Sequence, residues 1–510
     1  MSASRRTFLR TSAGLAAWAS ISAQAQARRP NILFCISDDQ SYPHASAYGY
    51  PAVRTPAFDR VAKEGVLFHN GYGASPGCSP CRAAFLTGRH TWQIENAGTH
   101  ASSFPAKYRT YPELLAEAGY WTGYTGKGWG PGRWEDQREQ NPAGPEFNER
   151  MLEPEYEGIR KTDYAGNFEQ FLEQRPDDAP FCFWYGASEP HRVFEQGSWK
   201  QEGKKLADAD PPPFLPDDEV VRGDILDYAV EIEHFDEHLG RILAKVDEIG
   251  ELDNTLVIVT SDNGMAFPRA KANCYEYGCH MPLAVRWGER VEGGRESREL
   301  VGFVDLTATI LEAAGVAHPG PHGLSGRSIL PLLEGREEPE RDAIYFARER
   351  HSSSRYENWT YPQRAMRSGP YLYIRNFKPD RWPSGDPQKF EEDGKLGPPH
   401  GGYHDIDDSP TKRFLTENRA DPEVRPFFVL AMAKRPPEEL FDVTKDPGCL
   451  ENLAENPEHE QTRKRLADKL EAYLRETGDP RVTGDGDVWE SYKRYSPIRQ
   501  FPQPPEELPD

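Results

Sequence analysis

Twelve residues, Cys78 to Arg89 (CSPCRAAFLTGR), bring together a cysteine, an arginine four places on and a Thr-Gly-Arg ending. Pro80 with Ser79 before it predicts a helix start, which sets Cys78 just ahead of a helix N-terminus, where free backbone N–H groups favour an anion. Arg82 then falls about one turn along on the same face, so a nucleophile and a cation converge on one anionic group. Cys78 and Cys81 also form a C-x-x-C pair, the pattern of redox dithiols and of half a zinc site. With no second C-x-x-C, and a chain far longer than a thioredoxin-like module, neither reading has support.

A second group of chemical residues lies at the ends of apolar runs. NILFCIS (31–37) leads into Asp38 and Asp39, FCFWYGA (181–187) into Ser188-Glu189-Pro190-His191-Arg192, and TLVIVT (255–260) into Ser261-Asp262-Asn263. Such runs suit strands buried on both faces of a parallel sheet, whose carboxyl ends carry ligand sites. Asp38, Asp39, Asp262 and Asn263 offer only oxygen, the donor of a hard divalent cation such as calcium or magnesium rather than zinc, copper or iron. A solvated loop with a helix cap accounts equally well for the Asp38–Asp39 pair by itself. Taken singly, Lys127 and Lys271 read as surface charges and His191 as a structural histidine.

The Cys78 segment resembles the sulfatase signature C-x-P-[S/C]-R-x-x-x-L-T-G-R. The likeness continues over nearly the whole chain beyond its first residues, in particular to heparan N-sulfatase (sulfamidase) and its bacterial relatives. It is carried by SEPHR (188–192), SDNGMAFPRAKANCY (261–275), RERHSSSRYENWTYPQRAMRSGPYLYIRNF (348–377) and EELFDVTKDPGCLENLA (438–454). The resemblance implies an alkaline-phosphatase-like α/β fold and conversion of Cys78 to formylglycine, whose hydrated aldehyde attacks the sulfur of a sulfate group. It further implies one calcium ion held by Asp38, Asp39, Asp262, Asn263 and residue 78. Arg82, Lys127 and Lys271 would neutralise the sulfate, and His191 would give a proton to the leaving group. Arg192, His280, His351 and Arg355 are candidate substrate contacts.

One departure stands out. Where the family has G-K-x-H, this chain has GKGW, with Trp129 in the histidine's place. Either His191 manages the proton alone, or another group such as His280 or His351 substitutes. The implied partners are a sulfated glycan, most of all of the heparan type, and a formylglycine-generating maturation enzyme. An O-sulfatase of another polysaccharide, a phosphonate or phosphate monoester hydrolase, and a sulfated-glycan binder that has lost catalysis are the alternatives. The Trp129 replacement favours the binder; the intact cysteine, arginine, lysines and oxygen ligands speak against it.

The elements that must position these groups are legible as βα alternation. Thr55–Gly65, Tyr111–Gly119 and Asp305–Gly315 read as short helices. Val66–Gly71, Tyr120–Thr125 and Pro282–Trp287 read as strands, and Ile225 to Ile249 as a long amphipathic helix stopped by Gly250. Past residue 340, AIYFAR and PYLYIRNF predict a smaller antiparallel sheet packed with a terminal helix, Glu458–Thr477. The expected plan is a leader (1–27), a catalytic α/β domain with a large, mostly parallel sheet (28–340), an α+β subdomain (341–485) and an extended tail (486–510).

The leader, with Arg5, Arg6 and Arg10 before a short apolar run, resembles a twin-arginine export signal and predicts an exported, periplasmic or secreted protein. Its removal takes the net charge from −21 to −24, which argues against nucleic acid as a partner. No run is long enough for a membrane anchor. Seven cysteines leave a Cys274–Cys279 pairing open, and self-association is left open too.

Overall fold

The structure, a computed structural model, describes residues 28–319, 323–336 and 341–509; the expected leader lies outside them. The main sheet holds β1 (Asn31–Ser37), β2 (Val66–Tyr72), β3 (Trp121–Gly126), β4 (Phe181–Gly186), β5 (Thr255–Ser261), β6 (His280–Arg286), β7 (Arg295–Ser297) and β8 (Val301–Gly302). Their order is β3-β4-β1-β5-β6-β2-β7, with β8 also on β2. The strands β3, β4, β1 and β5 run parallel, whereas β6 lies antiparallel to both β5 and β2.

Alternation along β1 sends Ile32, Phe34 and Ile36 to one face and Leu33 and Cys35 to the other. Both faces are covered, which is why the central strands are apolar throughout. Helices α2 (Cys78–Thr87), α3 (Tyr111–Glu117) and Val304–Ala314 bury one face. Helices α1 (Pro56–Glu64), α4 (Tyr164–Glu173) and the long Glu219–Glu248 helix bury the other. As the sequence predicts, the result is a mixed, mostly parallel sheet between helical layers.

The second sheet is antiparallel, order β12-β11-β10-β9, built from β9 (Ile344–Arg348), β10 (Gln363–Ser368), β11 (Tyr371–Asn376) and β12 (Glu438–Asp442). The Glu460–Glu476 helix lays Leu466, Leu470 and Leu474, four residues apart, against Met366, Tyr373 and Leu440 of this sheet. The last residues pack rather than trail. Trp489 is buried, Tyr495 N–H donates to Ala101 O (2.7 Å), and Ser102 Oγ donates to Lys493 O (2.8 Å).

All seven cysteines are buried free thiols, so the Cys274–Cys279 pairing left open by the sequence is not formed. No helix among the described residues is long and apolar enough to cross a membrane.

Candidate active site

The parallel pairing of β1 with β5 sets Ser37 opposite Ser261, and both strands then release their acids at the same level. Asp39 N–H donates to Asp262 Oδ1 (3.1 Å), Asp262 N–H donates to Ser37 O (3.2 Å), and Asn263 Nδ2 donates to Asp39 Oδ1 (2.6 Å). Asp39 holds a left-handed backbone (φ 75°), a conformation that costs a non-glycine residue about 1 kcal/mol or more and is kept here by those bonds.

Helix α2 begins at Cys78 itself, not after it, with Gly77 as its cap; the expected start at Ser79-Pro80 is two residues late. Gly77 is extended, and a Cβ there would lie 2.8 Å from His351 Nδ1, so any other residue would displace that ring from the edge of the site. Pro80 still falls in the first turn, where its missing N–H has no partner to lose. The Ser79 hydroxyl accepts from Ala101 N–H (3.1 Å) instead of capping α2.

Arg82 is fully buried. Its Nε donates to Asp262 Oδ2 (2.7 Å), and its Nη1 to the carbonyls of Lys127 (2.7 Å) and Gly128 (3.2 Å). Lys127, just after β3, reaches Asp38 Oδ2 (2.5 Å). Lys271 Nζ donates to Asp39 Oδ2 (2.6 Å) and to Asp407 Oδ2 (3.1 Å). His191, beyond β4, points Nε2 toward Asp39 Oδ2 (3.9 Å) while Nδ1 meets Arg192 O (2.7 Å).

Burial alone would raise the Asp38 carboxyl, but Lys127 and then Arg82 hold it well below the usual carboxylate range. Lys271 shows the converse: burial opposes its charge, and Asp39 with Asp407 holds it well above the usual lysine range. At Cys78 burial outweighs the opposing pull of Lys127 and Lys271 and pushes the thiol up to about 11.

Two oxygens of this cluster lack a hydrogen-bond partner although buried, Asp38 Oδ1 and Asn263 Oδ1. Orphaned buried acceptors are rare because each costs its desolvation, and a cation would satisfy both. Ligand atoms of Asp38, Cys78 and Asp262 all lie within 4.8 Å of one another. The donor set therefore fits a hard divalent cation.

Three of the four candidate substrate contacts are engaged otherwise. Arg192 forms a two-pronged, buried pair with Asp224 (2.7 and 2.8 Å) between Phe194 and Phe267. Arg355 is buried against Asp405 (2.6 Å) and the Trp382 and Pro383 carbonyls. His280 is stacked between Tyr42 and Tyr72 and bonded to Glu276, which leaves it structural and no stand-in for the absent histidine. Only His351 borders the site, over Gly77 and 4.8 Å from the ring of His100.

Three residues at the site escaped the sequence reading. His100 Nε2 lies 3.4 Å from Cys78 Sγ, and Arg494 of the C-terminal segment faces its Nδ1 (3.5 Å). Asp407 completes a group with Asp39 and His191. None sits in a motif; the sole hint was the missing histidine at 129. The Trp129 indole fills that place, donating to Ser79 O (2.9 Å) and meeting Phe104 edge-on.

A family model described as Sulfatase matches residues 30–316, more than half of the chain. The chain belongs to the sulfatase family. A second model, N-sulphoglucosamine sulphohydrolase, C-terminal, matches residues 269–388 of this sulfatase. Human N-sulphoglucosamine sulphohydrolase is 29% identical over 91% of this chain and 94% of its own. An ulvan-active sulfatase of Formosa agariphila is 27% identical over 88% of this chain and 76% of its own. A solved structure in complex with D-glucosamine-2-N,6-O-disulfate superposes with a TM-score of 0.62 at 20% identity, covering 89% of this chain and 100% of that one. The phosphonate monoester hydrolase of Agrobacterium radiobacter gives 0.60 at 18%, covering 89% and 97%. The fold is that of the alkaline-phosphatase-like sulfatases, and the chain is a hydrolase of sulfate esters or sulfamates.

Proposed function

We propose that this sulfatase removes N-linked sulfate from glucosamine units of a heparan-type glycan. Support comes from the two family models that together span residues 30–388 and from the likeness to human N-sulphoglucosamine sulphohydrolase over 91% of this chain. The observation that carries the chemistry is the buried meeting of residue 78 with three carboxylates, an amide oxygen and three cationic side chains.

A thiol pushed up to about 11 is almost wholly protonated at neutral pH and a weak nucleophile. Oxidation of Cys78 to formylglycine would supply instead a hydrated aldehyde whose hydroxyl attacks sulfur. Asp38, Asp39, Asp262 and Asn263, with residue 78, would hold one calcium ion, which when bound supplies charge to polarise the sulfate oxygens. Arg82 orients the acids and, with Lys127 and Lys271, balances the charge that builds on the sulfate oxygens. His191 donates Nδ1–H to a carbonyl, so its Nε2 is the nitrogen that faces the leaving group and, when the ring also carries a proton there, delivers it. With Arg494 at Nδ1, His100 keeps its proton on Nε2 and donates to residue 78, the service the G-K-x-H histidine would otherwise perform.

Conversion of residue 78 would precede folding, and the leader would export the folded enzyme. Defined heparin disaccharides, scored for free amine against free hydroxyl, test this reading. Release of free amine is expected; release of hydroxyl alone would move the assignment to an O-sulfatase.

A further inference from the structure

Most of the site is closed to solvent. The side chains of Asp38, Asp39, Arg82, Asp262 and Lys271 are at most 3% exposed, whereas His191 and Asp407 are each 32% exposed. A sulfate driven inward toward residue 78 therefore leaves its carrier sugar against His191 and Asp407. Nitrogen or oxygen atoms of Asp39, His191 and Asp407 lie within 4.8 Å of one another. Since His191 serves the atom that leaves sulfur, the Asp407 carboxylate sits beside that same atom.

The loop that carries Asp407 is built, not loose. Asp405, two residues earlier, is buried between Arg348 (2.5 Å) and Arg355 (2.6 Å). Lys412 Nζ donates to the carbonyls of Tyr403 (3.0 Å) and Ile406 (2.9 Å). Asp407 uses Oδ2 on Lys271, and its Oδ1 takes no hydrogen bond among the described residues. The Asp407 carboxylate, grouped with His191 and Asp39, thus has acceptor capacity to spare beside the leaving-group position.

An acceptor there distinguishes the two kinds of sulfate linkage. The bridging nitrogen of a sulfamate carries an N–H that a carboxylate accepts, whereas the bridging oxygen of a sulfate ester has only lone pairs to oppose to it. The products differ in the same sense. In R–NH–SO3− + H2O → R–NH3+ + SO4(2−), the S–N bond breaks, an S–O bond forms, and the nitrogen leaves as an ammonium; ester cleavage leaves a neutral alcohol.

We infer that Asp407 is the specificity-determining residue that selects sulfamates over sulfate esters at this site. The inference rests on the N-sulfatase reading and adds the side chain responsible. Oxidised, metal-loaded enzyme is assayed on N-sulfoglucosamine, on glucose 2-sulfate, which differs at the bridging atom, and on 4-nitrophenyl sulfate, which has no sugar. Asp407→Ala should lose kcat/KM on N-sulfoglucosamine by about tenfold or more beyond any loss on the two esters, the scale of one charge-assisted hydrogen bond. Competitive inhibition by glucosamine should weaken in the same variant, and Asp407→Asn, which keeps an acceptor but not the charge, should fall between. Thermal melting confirms that each variant is folded. An equal loss on all three substrates overturns the inference while leaving the N-sulfatase reading intact, because Asp407 would then act only through Lys271. Wild-type enzyme that cleaves glucose 2-sulfate and not N-sulfoglucosamine overturns that reading, and the role of Asp407 with it.

Discussion

If His100 performs the service of the missing histidine, restoring histidine at position 129 should not help, and the structure says by how much it should harm. Trp129 is 3% exposed, meets Phe104 at 5.1 Å, and donates to Ser79 O, the carbonyl next to residue 78. A Cβ on Gly132 would come within 2.4 Å of the indole, so the backbone there is shaped around a tryptophan. Truncating a buried tryptophan to alanine costs about 3–5 kcal/mol; imidazole fills part of that space, and about 3 kcal/mol is expected for Trp129→His. Urea unfolding measures that loss. Sulfate release is then compared in His100→Ala, Trp129→His and the double variant. His100→Ala should lower kcat by about 100-fold or more, and the double variant should be no better. Recovery of tenfold or more in the double variant, or a Trp129→His protein within about 1 kcal/mol of wild type, would refute this reasoning.

Three further outcomes follow from individual side chains. Arg355→Ala should destabilise the fold by about 1.5–3 kcal/mol in denaturant, because Asp405 loses one of its two buried arginines and keeps Arg348, with KM of the folded enzyme unchanged; a raised KM at unchanged stability would return Arg355 to the substrate. Calcium at about 100 times its Kd should stabilise the wild type by about 2.7 kcal/mol in thermal melts, and Asp38→Asn, which removes an orphaned ligand oxygen, should lose most of that gain; an equal gain in both would exclude Asp38 as a ligand. Burial pushes the His44 imidazole from 6.5 down to about 3, so between these values the unfolded chain binds a proton that the folded chain refuses. Its contribution is whole above pH 6.5 and declines as pH falls, by about 2 kcal/mol at pH 5. His44→Gln should flatten the stability profile between pH 7 and 5 by that amount, and an unaltered slope would contradict the assignment.

The part of this molecule that could be read in one dimension is the part made by local pattern. Runs such as NILFCIS and TLVIVT are apolar because both faces of their strands are covered, and their ends reveal Asp38 and Asp262. The start of α2 misled by two residues because Gly77 is chosen by contact with His351, which is 274 positions away. The same holds for His100, Asp407 and Arg494, which reach the site from irregular segments with no periodicity to mark them. Arg192 and Arg355 look like ligand-binding cations in sequence. Only folding reveals that Asp224 and Asp405 already occupy them. The exchange of the usual histidine for Trp129 is visible in sequence, but the approach of His100 to residue 78 is not, since His100 comes from a different stretch of chain.

The claim that everything else depends on is oxidation at position 78. Mass spectrometry of the tryptic peptide holding that residue, taken from active enzyme, tests it directly. Active enzyme should yield a peptide lighter than the cysteine form by the exchange of sulfur for oxygen and the loss of two hydrogens, in proportion to activity across preparations. Full activity in protein whose residue 78 is an unmodified thiol would contradict it.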